Sequence, residues 1–204
     1  MKVVKFGGTS IFSADHIKNV CNIISDGNSK IVVFSAIKDA TNLLSDFIKQ
    51  SNMGNWIHSE QILNIITDIH LNTIKSLFTS TNFKEIAISK LETSVSFISN
   101  FLHKNFTDNQ ADEILAQGEL LSTMIIYLYM LEKGEDVAIL PALKFIKLTK
   151  EKEPDYAYIQ ERLNNELRKH KGCKLYMTQG FICSNHKYAI TNLNRGGSDY
   201  TATI

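Results

Sequence analysis

Lys2-Val3-Val4-Lys5-Phe6-Gly7-Gly8 at the start of the chain, and Ile31-Val32-Val33-Phe34-Ser35-Ala36 further on, are the stretches that decide the fold. The first is a short β-branched run that stops at a glycine pair. The second is a continuous apolar run, the pattern of a strand buried on both faces. Between them Ser13 offers an N-cap, and Ile17, Val20, Cys21 and Ile24 recur at helical spacing before the turn cluster Asp26-Gly27-Asn28-Ser29. Leu43, Phe47 and Ile48 then begin a second helical pattern. A strand, a helix, a buried strand and a helix predict an α/β domain with a mainly parallel sheet sandwiched by helices.

The pattern changes downstream. Over about 58–134 it is helix after helix: Ile62, Ile65, Ile66 and Ile69, then Val95, Ile98, Leu102 and Phe106, then Ile114, Leu121, Ile125 and Leu128. Thr107-Asp108-Asn109-Gln110 separates the last two sets. This block reads as a helical insertion between strands. Strand signals return at 137–140, 174–177 and 188–191, with a polar helix over 155–169 that has Pro154 at its first turn. Tyr127 and Tyr129, within the apolar helix, are expected in the core.

Composition excludes several classes. With 204 residues, 44% of them hydrophobic and 21% charged, the chain supports a real core and is not disordered. Lysine plus arginine number 22 against 21 acidic residues, with no basic block, so nucleic acid is not an expected partner. The longest apolar run, Met124 to Leu131, is far short of the roughly 20 residues that span a bilayer, so no membrane is expected. Cys21, Cys173 and Cys183 are odd in number and form no CxxC pair, and the six histidines form no HxxH or HExxH pattern. Neither a disulfide framework nor a metal site is expected. The N-terminal MKVVKFGG lacks the long apolar region of a signal peptide, and a reducing, cytoplasmic setting is the expectation.

Four clusters could carry chemistry. Lys5-Phe6-Gly7-Gly8-Thr9-Ser10 ends a strand with two glycines and a nearby ammonium, which suits phosphate oxygens; a snorkelling Lys before a plain turn explains the same residues. Because the Lys precedes the glycines, this is not a Walker A loop. Ser35-Ala36, with Thr41-Asn42, follows the second strand on the edge where open α/β sheets bind ligands; either hydroxyl could instead cap the next helix. Glu119 lies on a mostly apolar helix stripe with Leu115, Ser122 and Ile126, and no Lys or Arg stands three or four residues away. Its carboxylate needs a partner from elsewhere, either a ligand's ammonium or a structural Lys. Asn194-Arg195-Gly196-Gly197-Ser198-Asp199 follows a strand and opens a helix; Arg195 is one of three arginines, and its fork suits a carboxylate or phosphate. Ser198 or Asp199 could simply cap that helix.

In order and spacing these clusters resemble aspartate kinases. KFGGTS, SA followed by TN, Gly118-Glu119 with Ser122, and RGGSDYTA carry the likeness, which covers the whole chain. The resemblance implies the amino-acid-kinase fold and MgATP-dependent phosphorylation of the L-aspartate side-chain carboxylate to 4-phospho-L-aspartate. That step opens the route to lysine, threonine, methionine and diaminopimelate. It implies that Lys5, Gly7 and Gly8 hold the transferring phosphoryl group, with Thr9 and Ser35 beside them. Thr41, Glu119, Arg195 and Ser198 would grip aspartate, Phe181 would line its pocket, and Asp199 would orient Lys5. ATP and Mg²⁺ are the implied cofactors, with no protein metal ligand in this chain, and a homo-oligomer is the implied full-length form. The sequence departs from the family pattern at Asn194, usually Gly, at Leu120, often Arg, and at Pro141-Ala142-Leu143, where relatives carry Asp-x-Arg.

By the same resemblance, residues 1–204 correspond to the N-terminal, aspartate-binding portion of the catalytic domain. The nucleotide-binding half and the regulatory ACT domains are then absent and the chain reads as truncated, so the isolated chain is expected to be inactive. Two other readings stay open: a kinase for a related amino acid such as glutamate or acetylglutamate, which Glu119 and RGGSDYTA disfavour, and a non-catalytic fragment that holds aspartate or an anion.

Overall fold

The apolar runs pair as four parallel strands. The computed structural model describes residues 1–193 and 196–204. Strands β1 (Lys2–Phe6), β2 (Lys30–Phe34), β3 (Val137–Ile139) and β4 (Leu175–Gln179) form one sheet in the order β1-β2-β4-β3. Phe6 pairs with Phe34, Phe34 with Gln179, and Ile139 with Met177. This register brings the ends of β1, β2 and β4 level, so the residues that follow each strand emerge together at one carboxyl edge.

β2 is buried along its whole length, as a continuous apolar run requires. Even Lys30 is buried; its ammonium donates to the Ile24 carbonyl at 3.0 Å and pairs with Asp26. That pairing, with the Asn28 N–H, holds the Asp26 carboxyl well below the usual carboxylate range.

Helices cover both faces. α1 (Ala14–Ile24) starts at Ser13, whose hydroxyl accepts from His16 N–H at 3.4 Å. α2 (Ala40–Asn52) follows β2, and α3 (Trp56–Leu77), α4 (Thr81–Ser99) and α5 (Asp108–Glu132) then make up the helical insertion. On one face Val32, Phe34 and Met177 pack with Ile17 of α1, Ile74 of α3 and Ile125 of α5. On the other, Ile31 and Tyr176 pack with Phe145 of α6 (Ala142–Phe145) and Ile159 of α7 (Tyr156–Lys169). A third cluster, including Leu44, Phe47, Ile62, Ile98 and Ile114, binds α2 and the insertion helices to one another. A separate antiparallel pair, β5 (Ile182–Ser184) and β6 (Ile190–Asn192), leads to α8 (Gly197–Thr203), which packs on β1 and β2.

Several boundaries differ from the sequence reading for local reasons. Thr107 to Gln110 is the first turn of α5, closed by a capping box between Thr107 and Gln110. Leu102 and Phe106 fall beyond α4, in a turn where Phe101 stacks edge-on against Phe97 and Phe106. Pro154 stands outside α7, which is capped instead by Asp155 accepting from Tyr158 N–H at 3.1 Å. Neither Ser35 nor Thr41 caps α2; the N-cap is Asp39, in the left-handed region at φ 68°. Tyr188, at φ 64°, turns the hairpin rather than joining β6, and β5 was not anticipated. By length and composition α5 could cross a bilayer, but 67% of its most apolar window is buried as the central core helix.

His70 on α3 is fully enclosed. Its Nδ1 lies 2.7 Å from the Ile66 carbonyl, and its Nε2 has no partner among the described residues. Burial holds its pKa below the ordinary histidine value of 6.5. The unfolded chain therefore binds the proton first as pH falls, so stability from this site is present above about 6.5 and lost below. His70→Leu is expected to lessen the fall in Tm between pH 7 and pH 5. An unchanged fall would refute the contribution.

Candidate active site

Three strand exits lie side by side at the carboxyl edge. After β1 a single 3₁₀ turn, Gly8–Ser10, is closed by Ser10 N–H donating to the Gly7 carbonyl at 2.9 Å. Ser35 N–H donates to the Phe6 carbonyl at 3.2 Å, and Gly180 N–H to the Phe34 carbonyl at 2.8 Å. The backbones are so close that side chains are excluded at two places. A Cβ on Gly8 would stand 2.8 Å from the Ala36 carbonyl oxygen. A Cβ on Gly180 would stand 2.5 Å from both Cβ and Oγ of Ser198, so the buried Ser198 sits directly on the end of β4.

Lys5, at the end of β1, reaches across this edge. Its Nζ would be 3.4 Å from a Cβ on Gly7, and it lies 2.9 Å from Asp199 Oδ1 in the first turn of α8. The Lys5 side chain is 23% exposed and that of Asp199 69%. So solvated a pair adds at most about 1 kcal/mol to stability. Its consequence is orientation: the ammonium is held above the Gly7-Gly8 backbone. Thr9 is exposed in the adjoining turn.

Glu119 approaches from α5 and is 2% exposed. Its Oε1 accepts from Ala36 N–H at 3.2 Å, whereas its Oε2 is buried with no partner among the described residues. The sequence leaves open a structural lysine as partner; among the described residues no lysine fills that place. Burial pushes the Glu119 carboxyl up to about 8, against the lowering effect of the Ala36 N–H. Two contacts set its position. Ser122 Oγ donates to the Ser35 carbonyl at 2.8 Å, tying α5 to the exit of β2. Gly118 lets the helix approach closely: a Cβ there would be 3.0 Å from the Ala36 Cβ and 4.0 Å from Thr41 Oγ1. Thr41 thus stands beside the helical turn that carries Glu119.

The fourth cluster enters through the hairpin. Asn194 and Arg195 lie outside the described residues, so the expected role of Arg195 rests on the resemblance alone. Their flanks are fixed. Asp112 of α5 accepts from Thr191 Oγ1 at 2.8 Å, and its carboxylate and carbonyl both accept from Asn192 Nδ2 at 3.0 Å. This clamp fastens the end of β6 to the helix that carries Glu119. Phe181 takes a left-handed conformation at φ 64° and packs against Gly197. Asp112, Gly180 and Thr201 escaped the sequence reading, because each acts through a contact distant in the chain. A cleft of about 430 Å³, lined in part by Asp112, Lys150, Asn192 and Gly197, opens beside this clamp. Among the described residues no three His, Cys, Asp or Glu side chains cluster as metal ligands.

Residues 1–204 match the sequence model of the Amino acid kinase family over their full length. The chain belongs to the amino acid kinase family. Among curated relatives, the chain is 30% identical over 206 residues to lysine-sensitive aspartokinase 3 of Escherichia coli K12, covering 99% of the chain and 45% of the relative. It is 34% identical over 210 residues to an aspartokinase of Chlamydia pneumoniae, covering 99% and 43%. Its fold superposes on E. coli aspartokinase III in complex with aspartate and ADP with a TM-score of 0.84 at 29% identity, over 98% of this chain and 45% of that one. The chain thus spans less than half the length of these relatives.

Proposed function

We propose that this amino acid kinase supplies the aspartate-binding part of an aspartate kinase, which transfers the terminal phosphoryl group of ATP to the side-chain carboxylate of L-aspartate. The observation that carries the reading is the buried Glu119 Oε2, a carboxylate oxygen with no partner among the described residues, which an incoming cation would complement. The α-ammonium of an amino acid is such a cation. The likeness to aspartokinases, one solved with aspartate and ADP, supports aspartate as that amino acid.

The chemistry follows from the groups present. The acceptor carboxylate, with a pKa of about 3.9, is already ionised at neutral pH, so no general base is needed. The barrier is the approach of one anion to another. Lys5, held by Asp199 above the Gly7-Gly8 backbone, would neutralise charge on the transferring group. Thr9 and Ser35 adjoin that position on the same edge. Glu119 would hold the ammonium, with Thr41, Ser198 and Phe181 around the rest of the substrate and Arg195 on its α-carboxylate. Mg²⁺, when bound with the nucleotide, would supply further neutralisation of the phosphate charge.

Two kinetic tests follow, in a catalytically competent protein that carries these residues. ADP formation should depend on aspartate and be far slower with glutamate; equal or faster turnover with glutamate would overturn the substrate assignment. Arg195→Ala should raise the KM for aspartate by about a hundredfold, the scale of a lost charge-assisted pair, with little change in the KM for ATP. Equal effects on both would remove Arg195 from the α-carboxylate.

A further inference from the structure

We propose that Thr201 is a positioning residue for the aspartate site, one hydroxyl that locks the end of β4 to the start of α8. This rests on the function proposed above. Thr201 is 9% exposed. Its Oγ1 donates to the Gly197 carbonyl at 2.8 Å and accepts from Phe181 N–H at 3.2 Å. The first bond is an ordinary i−4 back-bond of a helical threonine. The second is not, because Phe181 is twenty residues away and left-handed at φ 64°.

A left-handed conformation costs a residue with a Cβ about 1–2 kcal/mol and persists only where surrounding contacts over-determine it. Two backbone contacts supply them. Leu193 N–H donates to the Phe181 carbonyl at 2.7 Å, and Phe181 N–H donates to Thr201. The consequence reaches the chemistry. Gly180 precedes Phe181 and touches Ser198, and Asp199, next in sequence, holds Lys5. A Cβ on Gly197 would lie 3.3 Å from the Phe181 Cα, so the two backbones already touch. If Phe181 relaxed to negative φ, Gly180 would turn with it and Ser198 would lose its seat. Thr201 thus sets the spacing between the β4 exit and the α8 residues without itself touching substrate.

The test uses the full chain with Phe181 carbon-labelled. L-Aspartate is titrated by calorimetry, and the Phe181 Cα and Cβ chemical shifts report its backbone conformation. Thr201→Val keeps the shape and removes both hydrogen bonds. It is expected to weaken aspartate binding tenfold or more and to move the Phe181 shifts away from left-handed values. Thr201→Ser restores the hydroxyl and is expected to restore both. Wild-type affinity in Thr201→Val, whatever its Phe181 shifts, overturns the proposal. So does a tenfold loss of affinity in a folded Thr201→Ser. If the valine variant does not fold, Thr201→Ala and Thr201→Ser give the same comparison. If the wild-type chain binds no aspartate, the functional reading fails, and the Phe181 shifts still decide the lock: unchanged in Thr201→Val, they refute it; displaced and restored by serine, they support it.

Discussion

Replacing Lys5 with alanine is expected to lower phosphoryl transfer by about a thousandfold, the scale seen when one preorganised charge-stabilising donor is removed. The position of Lys5 is the reason. It ends a strand whose register is fixed by β2, and its ammonium is aimed by Asp199 at 2.9 Å over a backbone with no Cβ to obstruct an approaching phosphate. Water cannot take its place, because a mobile dipole would have to reorganise as the charge develops. The fold should survive: both partners of the pair are partly solvated, so its loss alters stability by at most about 1 kcal/mol. Turnover measured beside a thermal melt checks both halves. Near wild-type turnover would take Lys5 out of the mechanism, and a collapsed melt would make its role structural.

Replacing Glu119 with glutamine is the second large effect, and it divides by pH. Glutamine keeps the shape but cannot balance an ammonium, so aspartate affinity should fall by about two orders of magnitude or more, as for a truncated buried charge pair. Stability should move the other way. Folding raises the Glu119 carboxyl from 4.5 to about 8. The stability tied to the protonated form is fully present below about 4.5, declines as pH rises, and is gone above about 8. Glutamine does not titrate, so the variant should gain on wild type in Tm between pH 5 and pH 8. Aspartate binding should follow the same window in wild type. The incoming ammonium favours the carboxylate, so binding releases a proton at pH 7, and affinity climbs with pH toward about 8. A Tm difference that stays constant from pH 5 to pH 8 would show that Glu119 ionises normally.

Much of this is written locally in the chain. The run Ile31-Val32-Val33-Phe34 has no polar face, so it had to be a strand covered on both sides, and in the structure it is. Glu119 could be singled out because no nearby Lys or Arg answers its charge, and the fold leaves one of its oxygens without a partner among the described residues. Ser13 declares the start of α1 in the same local way. What stayed hidden depends on residues far apart in the chain. The three-residue β5, Ile-Cys-Ser, has too short a period to show itself and exists through its pairing with β6. Gly180 matters because Ser198, distant in sequence, packs directly against it. Thr107 to Gln110 reads as the break between two helical sets, and the capping box makes it the start of α5. Asp112 stands on a helix surface, where nothing nearby in sequence announces that Thr191 and Asn192 will fasten to it.

The most direct test of the central claim is calorimetric titration of this chain with L-aspartate and with L-glutamate at pH 7, in two buffers of different ionisation enthalpy. The account predicts saturable binding of aspartate at one site, weaker binding of glutamate, and release of a proton from Glu119 on binding aspartate. Saturable binding of neither amino acid, or binding of aspartate with no proton released, would contradict it.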